Sequence, residues 1–247
     1  NAHPLPLPNS EAGMRRLFSS SLRSLARSSP FPSSGGRKRG LVTHSFASLR
    51  SPPKCTPTFP RRQFSFTYPT PRKLEEIVKI PLLLMNEADK IVEIWTDYHS
   101  SKPGVFAGVL KGKRKFQVMM QRAQKSPLFI YPLVSPDGGG NYFVLVSQFQ
   151  GKHCLFTSLE DFNEKKENAQ PHLVITFYDE LINEKDLVLI RTDICNPAFS
   201  LQAAKNINES VVKHYVSSDG YDLVDRFNHD PSKFDIESYL ADPANQS

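Results

Sequence analysis

Acidic residues are missing from one long stretch of this 247-residue chain. Positions 12–74 carry 13 of the 31 lysines and arginines and none of the 25 aspartates and glutamates. The other 18 cations share residues 75–247 with 24 acids, so the net charge of +6 averages a basic leader and a body that is formally −6. An acidic body is a poor binder of a phosphate backbone, which removes the nucleic-acid reading that the overall charge invites. Cysteine is scarce as well. Cys55, Cys154 and Cys195 form no CxxC and leave one thiol over. That excludes a secreted disulfide framework and points to reduced thiols, buried or inert. No apolar run approaches the roughly 18 residues of a membrane-spanning helix, and the longest candidate, Ile80 to Met85, is far too short.

The usual catalytic signatures are absent too. His99 has no HxxxH or HExxH around it and is expected to be solvated or to cap a helix C-terminus. GVLKGKRK looks like a phosphate loop, but Gly108 and Gly112 are four apart instead of five, and no Ser or Thr follows the Lys, so it is not a Walker A motif. Asp137-Gly138-Gly139-Gly140 lies between two strand-like runs and reads as a hairpin turn. His153 and Cys154 are neighbours on a strand, where adjacent side chains point to opposite faces, so they are not a nucleophile–base pair. No metal site and no cofactor is expected.

Residues 1–13 precede the first methionine, Met14, and read as upstream sequence outside the fold. Residues 14–64 are rich in Arg and Ser. On a helical wheel Phe18, Leu22 and Leu25 share one face, with Arg16, Arg23 and Arg27 nearly opposite. This is the pattern of an organellar transit peptide. Arg62-Gln63-Phe64-Ser65 resembles a matrix-processing site, favours the mitochondrion, and places the cut near Phe64. A Pro-rich linker, 65–73, leads to a single body at 74–216.

The body reads as α+β: a central, mostly antiparallel sheet of about five to six strands with flanking amphipathic helices. Short Val-, Ile-, Phe- and Tyr-rich runs bounded by Pro, Gly, Asn and Asp predict strands at 128–133, 141–149, 152–157, 172–178 and 187–191, with VFAGVL a possible sixth. Along 142–149 both faces are apolar, which predicts a central, covered strand. Helices are predicted at 72–79, stopping at Pro81; from an N-cap at Asn86, with Ile91, Val92 and Trp95 inward; and at 112–125, burying Phe116, Met119, Met120 and Ala123. A helix starting near Thr157-Ser158 buries Leu159 and Phe162, and another from Asn196-Pro197, about 198–215, buries Leu201, Ala204, Ile207, Val211 and Tyr215. The basic faces of 112–125 are either merely solvated or a docking face for an acidic partner patch.

FIYPL (129–133), FTSLEDF (156–162), ENAQPHLVITFYDEL (167–181) and LVLIR (187–191) occur in this order, after EADKIVEIWTDYH (87–99) and before AAKNINESVVKHY (203–215). Together they resemble the mitochondrial assembly factors of the soluble catalytic head of ATP synthase. The resemblance covers about 72–216. It implies a non-enzymatic chaperone of the mitochondrial matrix, which binds unassembled ATP synthase beta subunit, keeps it from aggregating and yields to the alpha subunit. Exposed candidates for the client contact are Lys113, Arg114, Lys115 and Arg122 on the basic helix, and Glu180 near the sheet edge. The alternative is a matrix enzyme, a small hydrolase or thiol enzyme without a recognisable active-site motif. Residues 217–247, an acidic extension with seven acids against two bases, lie beyond the resemblance. They read as a tail docking its aromatics on the body or as a further partner-binding or self-shielding segment.

Overall fold

Val, Ile, Phe and Tyr crowd a helix but pack well on a pleated surface, and the apolar runs of the body form strands accordingly. The computed structural model describes residues 71–134, 142–165, 169–242 and 245. The leader, the Asp137–Gly140 turn and Cys55 lie outside these. Within the described residues the strands are β1 (Val105–Lys111), β2 (Leu128–Val134), β3 (Tyr142–Gln150), β4 (His153–Ser158), β5 (Leu173–Tyr178) and β6 (Leu187–Ile194). They make one sheet in the order β1-β6-β5-β4-β3-β2, antiparallel at every pair. The α+β class expected from the sequence is the class observed.

The helices are α1 (Ile80–Leu84), α2 (Ala88–Ser100), α3 (Lys113–Lys125), α4 (Leu159–Lys165), α5 (Ile182–Lys185), α6 (Leu201–Val216), α7 (Ser218–His229) and α8 (Ile236–Ala241). Strands β2 to β6 follow one another as a meander. β1 breaks the order: it is next to β2 in sequence but sits at the other edge, paired with β6 from Val105↔Asp193 to Lys111↔Leu187. α3 carries the chain across between them.

One face of the sheet packs on α2. Leu187, Leu189 and Tyr178 meet Ile91 and Trp95 there, with Leu74, Leu83 and Leu181 closing the cluster. Trp95 is fully buried and donates its indole N–H to the Ile190 carbonyl at 3.1 Å, so its polar handle is satisfied. The opposite face carries α3, α6, α7 and α8. Phe116 of α3 lies against Phe177, and Tyr215 of α6 lies edge-on to Phe149 at 4.8 Å. Phe129 of β2 is the centre of an aromatic group: its ring meets His214 at 5.0 Å, Tyr239 at 5.3 Å and Phe227 at 5.6 Å. Residues after 216 therefore fold onto the body through α7 and α8, and Phe227, Phe234 and Tyr239 are buried. Gly220 permits the close packing of α7 on α6, because a Cβ there would lie 2.8 Å from the His214 Cα.

Several local expectations change. The helix expected at 72–79 is a 3-10 turn at Leu74–Glu76, and Pro81 opens α1 instead of stopping a helix. Proline suits the first turn, where its missing N–H has no helical partner anyway. Asn86 does not cap α2; Glu87 holds that position, and Asn86 Nδ2 donates back to Leu82 O at 2.9 Å. Asn196 accepts from Ala198 N in a local turn, while Ser200 caps α6 by accepting from Ala203 N. Leu201, expected inside, consequently sits at the exposed start of α6. Leu159 and Phe162 are half-buried, because α4 is short and lies at the sheet's rim. Strand β3 is second from the edge, though Leu145 and Val146, on opposite faces, are both buried. His99 is buried, its Nδ1–H donating to Trp95 O at 2.8 Å and its ring lying 4.1 Å from the indole.

Two outcomes follow from this packing. Phe227→Ala should destabilise the fold by about 3–4 kcal/mol, read as a lower urea midpoint, because it opens a cavity beside Phe129. Burial of His214 brings its pKa from 6.5 down to about 4. The folded state then binds fewer protons than the unfolded one between those values, so stability falls as pH drops from 6.5 toward 4, by roughly 3 kcal/mol in total. Denaturation at pH 7 and pH 4.5 should show that loss, and His214→Phe should shrink it.

Candidate partner-binding surface

At one end of the sheet β1 finishes, β6 begins and β5 runs out. β1 ends at Lys111, and Gly112, at φ +111°, turns the chain directly into α3, a backbone shape that side chains rarely adopt. The first turn of α3 therefore projects from the sheet's end. It is anchored there by Lys113 N–H donating to Asp186 Oδ1 and by Lys113 Nζ donating to Asn183 Oδ1 at 2.9 Å. Asp186 is itself held at φ +52° between α5 and β6.

Lys113, Arg114 and Lys115 are all exposed on this turn, and the turn contains no acid. Three cations at a helix N-terminus add to the positive end of the dipole, where carboxylates would be stabilising. The Asp186 carboxylate on the Lys113 N–H offsets part of this, and the exposed cations favour contact with further negative charge. The structure brings these three together as the sequence suggested. Glu180 is exposed in the turn that follows β5 and precedes α5, next to Asp179, which pairs with Lys152.

Arg122 has a different task. Its guanidinium donates to the carbonyls of Tyr215, Val216 and Ser217 at 2.9–3.0 Å, and it lies 4.6 Å over the Tyr221 ring. The Tyr215 and Val216 carbonyls are the last of α6, Ser217 O also accepts from Tyr221 N at 3.2 Å as α7 begins, and a cation complements the helix dipole there. Arg122 is an internal clamp between α3, α6 and α7 and leaves the set of free cations.

The sequence reading missed an apolar component. Leu83 is buried with Leu181 and Leu187, which fixes α1 at this same end of the sheet. Leu82 and Met85 then face solvent, 57% and 81% exposed. The run IPLLLM is apolar at every position, so nothing in its composition separates the side chains that are buried from those that are not. The available signal was geometric: one helical turn cannot bury six consecutive apolar side chains.

Two other polar groupings bind partners of their own, although Arg191 Nη1 is buried without one among the described residues. His172 donates Nε2–H to Asp161 Oδ2 at 3.1 Å and accepts at Nδ1 from Asn196 Nδ2 at 2.7 Å. With both nitrogens engaged the imidazole has no lone pair for a substrate proton. The Lys165 hydrogen bond, against the effect of burial, lowers the Asp161 carboxyl's pKa, helped by His172 and Ser158. Arg191 of LVLIR lies buried with its Nε and NH2 on Asp193 at 2.6–3.0 Å. Burial opposes that charge, and the Asp193 contact more than offsets it. Cys154 is buried, which pushes its thiol up and away from thiolate chemistry. Among the described residues no group of three or more His, Cys, Asp and Glu could hold a metal ion, and no helix is long and apolar enough to cross a membrane.

What remains is a surface of exposed apolar and cationic side chains on a rigid sheet end, suited to another protein carrying apolar and acidic groups. The chain is 29% identical over 173 residues to ATP synthase mitochondrial F1 complex assembly factor 1 of Mus musculus, covering 69% of this chain and 52% of that protein. The Homo sapiens protein of that name is 29% identical over 173 residues, covering 69% of this chain and 51% of its own length. Protein atp11, mitochondrial, of Schizosaccharomyces pombe is 28% identical over 114 residues, covering 45% of this chain and 40% of that protein. The chain spans about half the length of the first two relatives. Residues 46–240 match the family model described as ATP11 protein, well over half of the chain, and the chain belongs to that family.

Proposed function

We propose that this protein is an assembly chaperone of the mitochondrial matrix, without enzymatic activity, that binds the unassembled beta subunit of the ATP synthase catalytic head. It covers the surface that later meets the alpha subunit, prevents aggregation, and is displaced when alpha joins. The observation that carries this reading is the similarity to relatives named as F1 complex assembly factors. The choice of beta rests on the ordered motifs from FIYPL to LVLIR. The matrix location is supported by the acid-free leader and the Arg62-Gln63-Phe64-Ser65 site. A subunit without its neighbours exposes apolar interfaces, and a holder that binds only that form keeps it soluble by mass action.

The surface around α3 and α1 supplies suitable chemistry. Leu82 and Met85 give a small apolar contact, while Lys113, Arg114 and Lys115 steer acidic groups toward it. Co-expression of the protein with beta subunit should yield a complex that forms without ATP and does not form with the assembled head. Failure to retain free beta removes the proposal. Replacing Arg114 and Lys115 together by Glu, which spares the Lys113 anchor, should weaken beta binding about tenfold or more, equivalent to about 1.4 kcal/mol, without lowering the urea midpoint. Unchanged affinity takes this face out of the interface. Arg122→Glu should instead lower the urea midpoint, since it breaks the clamp on α6.

A further inference from the structure

The sheet treats its two edges differently. In β2 the odd residues bond to β3, as the Phe149 N–H to Pro127 O bond and the register show, so the even residues turn their backbone groups outward. Most of these are met or absent from Leu128 to Pro132. The Asn228 side chain accepts from Leu128 N–H and donates to Leu128 O, imitating a neighbouring strand. Tyr239 Oη donates to Ile130 O at 3.0 Å, and Pro132 has no N–H to offer.

Among the described residues β1 has no such protection. Ile194 N–H to Gly104 O and Gly112 N–H to Asp186 O set the phase, so the even residues of β1 bond to β6. Val105, Ala107, Val109 and Lys111 then point their N–H and C=O groups outward, and no other described residue meets them. Edges are normally blunted by proline, inward charges, bulges or a covering element. VFAGVLK carries one charge, at its end, no proline, and an uninterrupted register with β6. Every residue from Val105 to Val109 is half-buried, so the two faces are covered while the rim stays open.

We propose that the β1 edge binds an extended segment of the client, which adds as a seventh strand; this rests on the chaperone reading given above. The groups beside the edge define the segment's chemistry. Half-buried Val92, Ala107 and Val109 line one side, and half-buried Phe106 with exposed Leu201 the other, which calls for apolar side chains on both faces. Lys102 stands before the strand, and Lys111, Lys113, Arg114 and Lys115 stand at its end, which calls for carboxylates flanking the apolar run. The Lys111–Asp89 pair is solvent-exposed and exchanges easily for a client acid. Main-chain hydrogen bonds hold such a strand, and alternating side chains select it.

The test is residue-resolved amide exchange on the full chain, alone and with isolated beta subunit. Free, the amides of 105, 107, 109 and 111 should exchange fast and those of 106, 108 and 110 slowly. With beta bound, the four fast amides should slow at least tenfold, erasing the alternation. Ala107→Pro and Val109→Pro remove outward N–H groups and leave the β6 ladder intact. Whichever of them keeps the wild-type thermal midpoint should bind beta at least tenfold more weakly. Bound beta with the four amides still fast overturns the proposal and leaves the chaperone function standing. Protection of the four amides in the free chain, by a second copy or by its own residues, also overturns it. No binding of beta at all overturns both.

Discussion

A strand at the rim of a sheet has half of its backbone polar groups unmatched, and this constraint organises the molecule. β1 and β2 are consecutive in sequence but occupy opposite rims, so no hairpin turn could join them and α3 must cross the sheet. The five strands of the meander, β2 to β6, can pair locally, but β1 can pair only after β6 exists. Once placed, the two rims meet different fates. The chain beyond 216 is used to close the β2 rim: α7 brings Asn228 to Leu128, and α8 brings Tyr239 to Ile130.

That closure and the core are one construction. Phe129 stands on β2 between the capped positions Leu128 and Ile130, and its ring is the hub for His214, Phe227, Phe234 and Tyr239. The capping hydrogen bonds hold the helices in register, and the rings give them apolar area to bury. Arg122 joins the same assembly from below by gathering the last carbonyls of α6 just where α7 begins. Ser217 closes one helix and opens the next, donating to Lys213 O and accepting from Gly220 N.

Strands were legible in the sequence because short runs of Val, Ile, Phe and Tyr bounded by Pro, Gly, Asn and Asp have few competing explanations, and all six sit within a few residues of expectation. Helix ends were less so. Asn86 and Asn196 each offer an N-cap side chain, yet each satisfies a nearby group instead, and local sequence does not say which backbone amide an asparagine will reach. Arg122 and Lys113 look alike on a wheel, but one reaches carbonyls more than ninety positions away in sequence, a contact set by tertiary packing alone. The open rim of β1 was not legible either, since exposure of an edge depends on what does not fold over it. His99 shows the same limit: its spacing of four from Trp95 places the indole beside it, but burial of the imidazole is set by tertiary packing.

The strength of the surface can be weighed against the task proposed for it. Burying Leu82 and Met85 is worth about 1.5–3 kcal/mol each at full burial. Strand addition along β1 offers a handful of backbone hydrogen bonds at a net of about 0.5–1.5 kcal/mol each. Against these stand the loss of rigid-body freedom and the ordering of the client segment, several kcal/mol together. On the function proposed, such a balance would give a complex of moderate affinity, which a larger and more apolar subunit interface would outcompete without an energy source. The unfavourable crowding of Lys113, Arg114 and Lys115 at the positive end of α3 fits the same balance. It adds little binding energy in salt, but it raises the rate of encounter with an acidic surface, and a holder must reach its client before a second unassembled subunit does.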